Sequence, residues 1–505
     1  MQNHTQSPAL PSALYTAEQV KALDQEAINR LAVPGIKLMK RAGRAAFEKL
    51  LEHWPDLDSL TVFCGAGNNA GDGYVVAALA AQKRIAVDIV QLADPENLPA
   101  DAHKAYQFAR QEGVIMAPFQ EHGGIAGEVV VDALLGIGSR GAPRGDYAAA
   151  VAQINEANKP VVALDIPSGL CADTGHAEAA VNADITVCFI GLKRGLLTAR
   201  GPKHCGQLYF DGLGVADDCN SQVAEVERMS SAQLLERLPA READAHKGRF
   251  GHVLVIGGDH GYAGAALLSA ESAARCGAGL VSVATRAEHI AAIVSRRPEL
   301  MAQAVVSGQE LMPLLEKASV VVIGPGLGRS PWSEQLLQQA SDYCAEQNVP
   351  MVMDADALNM LAEARVIEGA RDNWVLTPHP GEAARLLACE ISDIEQDRFA
   401  SVAKLQQKYG GAVLLKGAGS LICCHQAAIG LASVGNPGMA SAGMGDVLSG
   451  VIAALIAQGM SPGDACRLAV CLHGDAGDLA ADEFGQRGML AADLIPYLSE
   501  LLAQV

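Results

Sequence analysis

Basic residues are the minority in this chain: 38 lysines and arginines stand against 57 aspartates and glutamates, a formal net charge of −19 over 505 residues. A surface of that sign repels nucleic acid and anionic membranes, so neither is expected as a partner. Nucleotide substrates stay open, because backbone N–H groups hold phosphate without basic side chains. Aromatics are scarce, 4% of residues, whereas half the chain is hydrophobic and alanine and glycine abound. That balance suits a soluble α/β protein whose helices pack closely on sheets through small side chains. The 12 cysteines form no C-x-x-C pair and read as reduced core residues, so a cytoplasmic location is expected. No run of about 18 apolar residues exists to span a membrane. MQNHTQSPALPSALYTAEQV lacks a basic segment followed by an apolar run, so no signal peptide is expected.

Several catalytic signatures are missing as well. Without G-x-x-x-x-G-K-[ST], any phosphoryl chemistry is not of the P-loop kind. Without H-E-x-x-H or a cysteine–histidine cluster a zinc site is not expected, and without G-x-S-x-G a serine hydrolase is not.

What is present is strand and glycine-rich loop in alternation. A chain of this length implies two or more domains. Residues 216 to 250 are polar, charged and without strand patterning, which places a boundary near 225 and domains at 13–225 and 226–505. The first dozen residues read as a mobile tail. Thr16 with Gln19 three residues on signals a helix start, and a second helix is expected over 36 to 53. SLTVFCGAGNNAGDGYVVAALAAQKRIAVDIVQL then gives strand, loop, helix and strand, a βαβ unit of a doubly wound parallel sheet. Its loop, residues 65 to 73, is not the dinucleotide fingerprint, because Gly71 comes one residue late and no acidic residue ends the second strand. Asn68, Asn69 and Asp72 favour a ligand loop over a plain turn. EVVVDALLGIGSRGAPRGDY repeats the pattern, with Asp132 at the strand end and a glycine-rich loop over 136 to 145. PVVALDIPSGL ends in Asp165 and Ser168. Strand ends of such a sheet share one edge, so Asn69, Asp132, Asp165 and Ser168 converge on a crevice whose oxygen donors suit an alkali or alkaline-earth cation.

The second half opens with a strand ending at Gly257, Gly258 and Asp259, followed by a helix from about Ala263. Another strand exits through Gly324 to Gly328. Asp354, Asp356 and Asn359 follow a third, and Thr377, His379 and Glu382 a fourth. His379 is either a structural histidine in a rigid turn or a ligand; Lys416, beside glycines, either a surface lysine or an anion contact. The stretch organising this half is SVGNPGMASAGMGDVLSG, 433 to 450, a glycine-rich loop opening into an apolar helix. Helix-start N–H groups suit a phosphate or developing oxyanion. Asp446 sits among them and is either the N-cap or a base that takes a proton from a hydroxyl.

SAGMGDVLSG resembles the anion hole and base of ribokinase-like small-molecule kinases. TPHPGE, DADALN and KGAGS together resemble ADP/ATP-dependent NAD(P)H-hydrate dehydratases; GAGNNAGDG, the aspartate before GIGSRG, and DIPSG resemble NAD(P)H-hydrate epimerases. Both halves in this order are similar to bifunctional NAD(P)H-hydrate repair enzymes. The resemblance implies an N-terminal Rossmann-like doubly wound domain followed by a C-terminal ribokinase-like α/β domain. It also implies repair of NADH or NADPH that has gained water across the nicotinamide ring.

By carry-over, Asp446 is the dehydratase base and Gly264, Gly326 and His379 line the hydrated-nicotinamide site. Lys416, Gly417, Ala418, Gly419, Ser420 and Gly445 contact ADP or ATP, with Mg2+ on its phosphates. Asp165 handles the proton in the epimerase, and Asn68, Asn69, Ala70, Gly71 and Asp72, with Gly136, Ile137, Gly138, Ser139, Arg140, Gly141 and Ala142, surround the dinucleotide. A potassium ion (K+) sits on Asn69, Asp132 and Ser168. The partners expected are small molecules, and a homo-oligomer is expected. The rival reading is a ribokinase-like kinase for a small alcohol, fused to a Rossmann-like binding module without catalysis.

Overall fold

The computed structural model describes residues 10–120, 123–363 and 369–503. The tail expected over the first dozen residues therefore lies outside the described residues up to residue 9. The chain divides into two compact units, Met1–Glu227 and Arg228–Val505.

In the first unit seven strands form one sheet: β1 (Ser59–Cys64), β2 (Ala86–Gln91), β3 (Ile115–Pro118), β4 (Val129–Ala133), β5 (Val161–Leu164), β6 (Ile185–Phe189) and β7 (Gln207–Asp211). Their spatial order is β3-β2-β1-β4-β5-β6-β7, and every pair is parallel. Helices cover both faces of such a sheet, so its central strands are unbroken apolar runs instead of alternating ones; Val129 to Ala133 are all buried. The chain leaves β1 toward β2 and β3, then returns to β4 on the other flank. Between the carboxyl ends of β1 and β4 the connections part in opposite directions and leave a crevice.

Thr16 and Gln19 form the expected capping box on the helix Ala17–Asn29, and the next helix is Gly35–His53. One expectation is corrected. The stretch read as loop to Gly73 is helical from Asn68 (helix Asn68–Gln82), with Gly67 as N-cap. Its inner glycines serve packing, not a turn: a Cβ on Gly73 would stand 2.6 Å from the Cβ of Ala133. The polar connection also holds a short strand, Val226–Arg228, where no strand patterning was legible.

The second unit carries β8 (His252–Ile256), β9 (Leu280–Thr285), β10 (Met301–Ala304), β11 (Val320–Ile323), β12 (Met351–Met353), β13 (Trp374–Leu376), β14 (Ala412–Leu415), β15 (Ser420–Cys423) and β16 (Ile429–Ala432). They lie in the order β16-β15-β14-β13-β12-β11-β8-β9-β10, parallel from β14 to β10 and antiparallel across β14, β15 and β16. The strand order reverses between β8 and β11. The helix Met444–Ala457 is buried along almost its whole length, as an apolar helix in a core must be. It is keyed to the helix Ala263–Arg275 by Ser272 Oγ donating to the Val447 carbonyl at 2.9 Å, and by the hydroxyls of Ser269 and Ser449 at 3.2 Å. That lock fixes where the helix starts, and with it the place of Asp446. Among the described residues no helix is long and apolar enough to cross a membrane.

Candidate functional site

In the first unit the crevice at the reversal of strand order holds a cavity of about 520 Å³. Asn68, Asn69 and Asp72 line it from the start of their helix, Gly136, Ile137, Gly138 and Ser139 from the loop after β4, and Asp165 from the end of β5. Ala70 is fully buried in the helix, and a side chain at Gly71 would run into Met39, so both face the core. Arg140, Gly141 and Ala142 lie further along the loop, outside the cavity lining.

Asp165 takes a left-handed backbone conformation, φ +66°. A residue other than glycine held there stores on the order of 1–3 kcal/mol, the kind of strain that collects at functional sites. Its Oδ1 accepts from the Phe189 N–H at 3.1 Å and from Lys193 Nζ. Lys193 is completely buried and also donates to the Phe189 carbonyl at 2.9 Å. Burial pulls the Lys193 pKa down, but Asp165 and Cys188 more than offset it, so the ammonium stays charged. Asp24 and Asp72 line the same cavity. Burial, and then the charge of Asp165, raise both their pKa values, that of Asp72 strongly. Sequence reasoning missed Lys193 and Asp24. The strand-end rule reaches Lys193, just past β6; nothing in the polar face of the first helix marked Asp24.

Asp132 and Ser168 meet, and Asn69 and Ser168 both donate to the Leu135 carbonyl. Asp132 is fully buried; its Oδ2 accepts from Ser168 N at 2.8 Å and its Oδ1 from Ser168 Oγ at 2.6 Å. Burial pushes its carboxyl up to about 6 against those hydrogen bonds. Asn69 Nδ2 donates to the Leu135 carbonyl at 3.2 Å, while Asn69 Oδ1 is buried with no hydrogen-bond partner. An orphaned amide oxygen, a buried carboxylate and a hydroxyl form an all-oxygen donor set with one charge, which fits a monovalent cation. Among the described residues no group of three or more His, Cys, Asp or Glu side chains is placed to hold a metal ion.

In the second unit, Gly443 (φ +88°) is the N-cap of the helix Met444–Ala457 and makes no side-chain capping bond. Asp446, inside the first turn, is therefore not the cap, and that alternative falls. Lys416, past the end of β14, is no surface lysine: its Nζ donates to Asp354 Oδ1 at 2.8 Å. Gly445 lies against that pair, since a Cβ there would stand 3.2 Å from Lys416 Nζ and 3.3 Å from Asp354 Oδ2. Burial, then the charge of Asp354, push the Asp446 carboxyl up to about 6 against the pull of Lys416; Asp356 adds to the rise.

The loop after β11 joins this group, with Gly328 N donating to Asp356 Oδ2 at 2.8 Å. Gly326 (φ +56°) accepts from Asp259 N at 2.7 Å and packs on Tyr262, and open space lies beside the Gly264 Cα. His379 is an N-cap: its Nδ1 accepts from Gly381 N at 3.0 Å and Glu382 N at 3.3 Å, and Glu382 Oε2 accepts from His379 N at 2.8 Å. Burial, and then Lys416, hold its pKa below the ordinary histidine value, so the ring is neutral. His379 thus has a structural role through Nδ1, which leaves the other edge of its half-exposed ring open to a ligand. Gly417, Ala418, Gly419 and Ser420 form the β14–β15 turn, where Ser420 Oγ donates to the Gly417 carbonyl at 3.1 Å.

A family model described as YjeF-related protein N-terminus matches residues 35–195, and one described as NAD(P)H-hydrate dehydratase matches residues 253–500. The chain is 44% identical to the bifunctional NAD(P)H-hydrate repair enzyme Nnr of Coxiella burnetii, over 97% of this chain and 99% of that protein. It is 43% identical to the protein of that name from Escherichia coli, over 99% and 97%. Among solved structures, a ribokinase-like superfamily protein of Enterococcus faecalis aligns with a TM-score of 0.51 at 30% identity, covering 56% of this chain and 98% of that one.

Proposed function

The chain belongs to the bifunctional NAD(P)H-hydrate repair enzymes, and from that we propose a division of labour between its halves. Residues 13–225 interconvert the R and S hydrates of NADH and NADPH. Residues 226–505 dehydrate the S form at the expense of ADP or ATP. One observation supports the second step above all: a carboxyl pushed up to about 6 stands in the first turn of a buried helix, unspent on capping and beside the Lys416–Asp354 pair.

Hydroxide leaves poorly and phosphate well, so the hydroxyl must first be phosphorylated. Asp446 takes the hydroxyl proton as that oxygen attacks the terminal phosphorus of ADP, and AMP departs. N–H groups of residues 442–445 hold the charge that develops. The ring nitrogen's lone pair then expels phosphate. Loss of a proton from the adjacent ring carbon restores the reduced nicotinamide, so hydrate plus ADP gives NAD(P)H, AMP and phosphate. Lys416, Gly417, Ala418, Gly419 and Ser420 hold the nucleotide; Gly264, Gly326 and the neutral ring of His379 line the hydrate site. Mg2+ is assigned to the phosphates, where it neutralises their charge. Asp354, whose Oδ1 accepts from Lys416, would offer its Oδ2 as a hard oxygen that suits it.

In the first unit Asp165 moves the proton. Its Oδ1 is held by Lys193 and the Phe189 N–H, which leaves Oδ2 for the substrate. Asn69 Oδ1, Asp132 and Ser168 Oγ hold K+, whose charge offsets the buried carboxylate. We further assign a homo-oligomer, which sedimentation would read as a multiple of 52.5 kDa. A cytoplasmic location is also assigned; the unbridged cysteines support it, and fractionation of the source cell into soluble and exported pools checks it.

Mixing the protein with hydrated NADH and ADP should restore the near-ultraviolet absorbance of reduced nicotinamide, with one phosphate freed per turnover. Nucleotide consumption with a stable phosphorylated product and no phosphate would favour the kinase reading instead. For the cation, adding K+ to protein held in a choline buffer should raise its melting temperature. At about 100 times Kd the stabilisation is about 2.7 kcal/mol. Asn69→Ala should remove the shift, and a wild-type protein that melts alike in both buffers refutes the assignment.

A further inference from the structure

We propose that Arg398 is a positioning residue for the nucleotide turn, a permanent positive charge seated beneath Lys416–Ser420 that fixes the turn and draws the ligand's phosphates toward it. The inference rests on the reading of that turn as the nucleotide site.

Arg398 is 1% exposed and lies at the first position of the helix Arg398–Tyr409. Both circumstances are unfavourable to a cation. Burial strips its water, and the start of a helix already carries the positive end of the dipole. Guanidinium does not escape by losing its proton. Something must hold it there, and the contacts say what. Nη2 donates to the carbonyls of Leu415 at 3.3 Å and Lys416 at 3.1 Å, and Nη1 to Glu395 Oε1 at 3.0 Å. Gly417 (φ +139°) runs so close that a Cβ there would stand 2.9 Å from both Nη1 and Nη2.

Lys416 is thereby held at three points. Its carbonyl faces Arg398, its N–H donates to the Pro378 carbonyl at 2.9 Å, and its ammonium reaches Asp354. Two cations thus flank one turn, Lys416 on the Asp446 side and Arg398 underneath. One carboxylate that meets Arg398, that of Glu395, is 41% exposed, so water screens its negative charge more than the buried positive one. Arg398 thus adds a positive charge beneath a turn whose Lys416 is already paired with Asp354, and that added charge attracts a ligand in proportion to its phosphates.

A charge acts in proportion to the charge it meets, whereas a mere prop acts on every ligand alike. Full-length Arg398→Met and Arg398→Lys would be compared for binding of AMP, ADP and ATP, and for KM of ADP and of hydrated NADH. Arg398→Met should raise KM for ADP about tenfold or more, as loss of a buried charged contact does, with KM for the hydrate changed less than about twofold. The penalty should grow from AMP to ADP to ATP, and Arg398→Lys, which keeps the charge, should show no such growth. An equal loss for all three nucleotides, or none, overturns the proposal. Should Arg398→Met fail to fold, Glu395→Gln tests the opposite sign on an exposed residue. Removing that carboxylate should tighten ADP by about twofold and ATP by more; unchanged or weaker binding overturns the proposal. Lys416→Gln separates the two levels. If it leaves KM for ADP unmoved, the turn is not the nucleotide site. If it raises KM while the Arg398 and Glu395 variants do nothing, only the role of Arg398 is lost.

Discussion

Asp446→Asn is expected to cut ADP-dependent dehydration of the S hydrate by about 10²- to 10⁴-fold, the usual worth of a positioned general base. Nucleotide binding and R/S interconversion should survive. Asparagine keeps the shape of the side chain and the start of the helix, which Gly443 caps without help from residue 446. What is lost is the ability to take a proton. The pH dependence follows with a definite sign. The carboxyl is pushed up to about 6 by burial and by Asp354, and the working form is the carboxylate. Dehydratase kcat/KM should therefore be level above that pH and fall as pH drops through about 6, by about tenfold per unit. The Asn variant should show no such limb. A variant that kept most of its turnover, or a wild-type limb centred near 4, would remove Asp446 from the proton transfer.

Asp165→Asn should abolish interconversion of the R and S hydrates, again by about 10²- to 10⁴-fold, and leave repair of the pure S hydrate at its wild-type rate. An amide oxygen still accepts from the Phe189 N–H, so the strained backbone at residue 165 keeps one of its ties. The buried ammonium of Lys193, however, loses its countercharge, and its pKa should fall because burial is then opposed only by weaker partners. The clean readout is stereochemical: chromatography of the two hydrates with and without enzyme. If S-form repair disappeared together with interconversion, the two chemistries would not belong to separate residues.

The residues legible before any coordinates were those whose setting is local. Asp446 was found because glycines before it and an apolar run after it announce a helix start within a few positions. Asp132 was legible at the end of β4, and Asn69 and Ser168 in the connections just past β1 and β5, because parallel strands bring their carboxyl ends to one edge. The Asn68 segment shows the limit of composition. Glycine density suggested a loop to Gly73, whereas the chain is helical there and uses its glycines to press against β4. His379 shows another limit, since flanking prolines do not reveal that its Nδ1 accepts from two backbone N–H groups.

By itself, then, the sequence determined the alternation of strand and glycine-rich turn, the division into two α/β units and the helix starts at Thr16 and before Asp446. All of these are encoded within a few neighbouring positions by backbone preference and apolar spacing. Tertiary structure decided which charges meet. Lys193 finds Asp165 across 28 residues, Lys416 finds Asp354 across 62, and Arg398 finds the carbonyl of Lys416 across 18. Those pairings, and the carboxyl of Asp446 carried to about 6, depend on distance through space and on the water that packing removes. Neither quantity is written in the order of the residues.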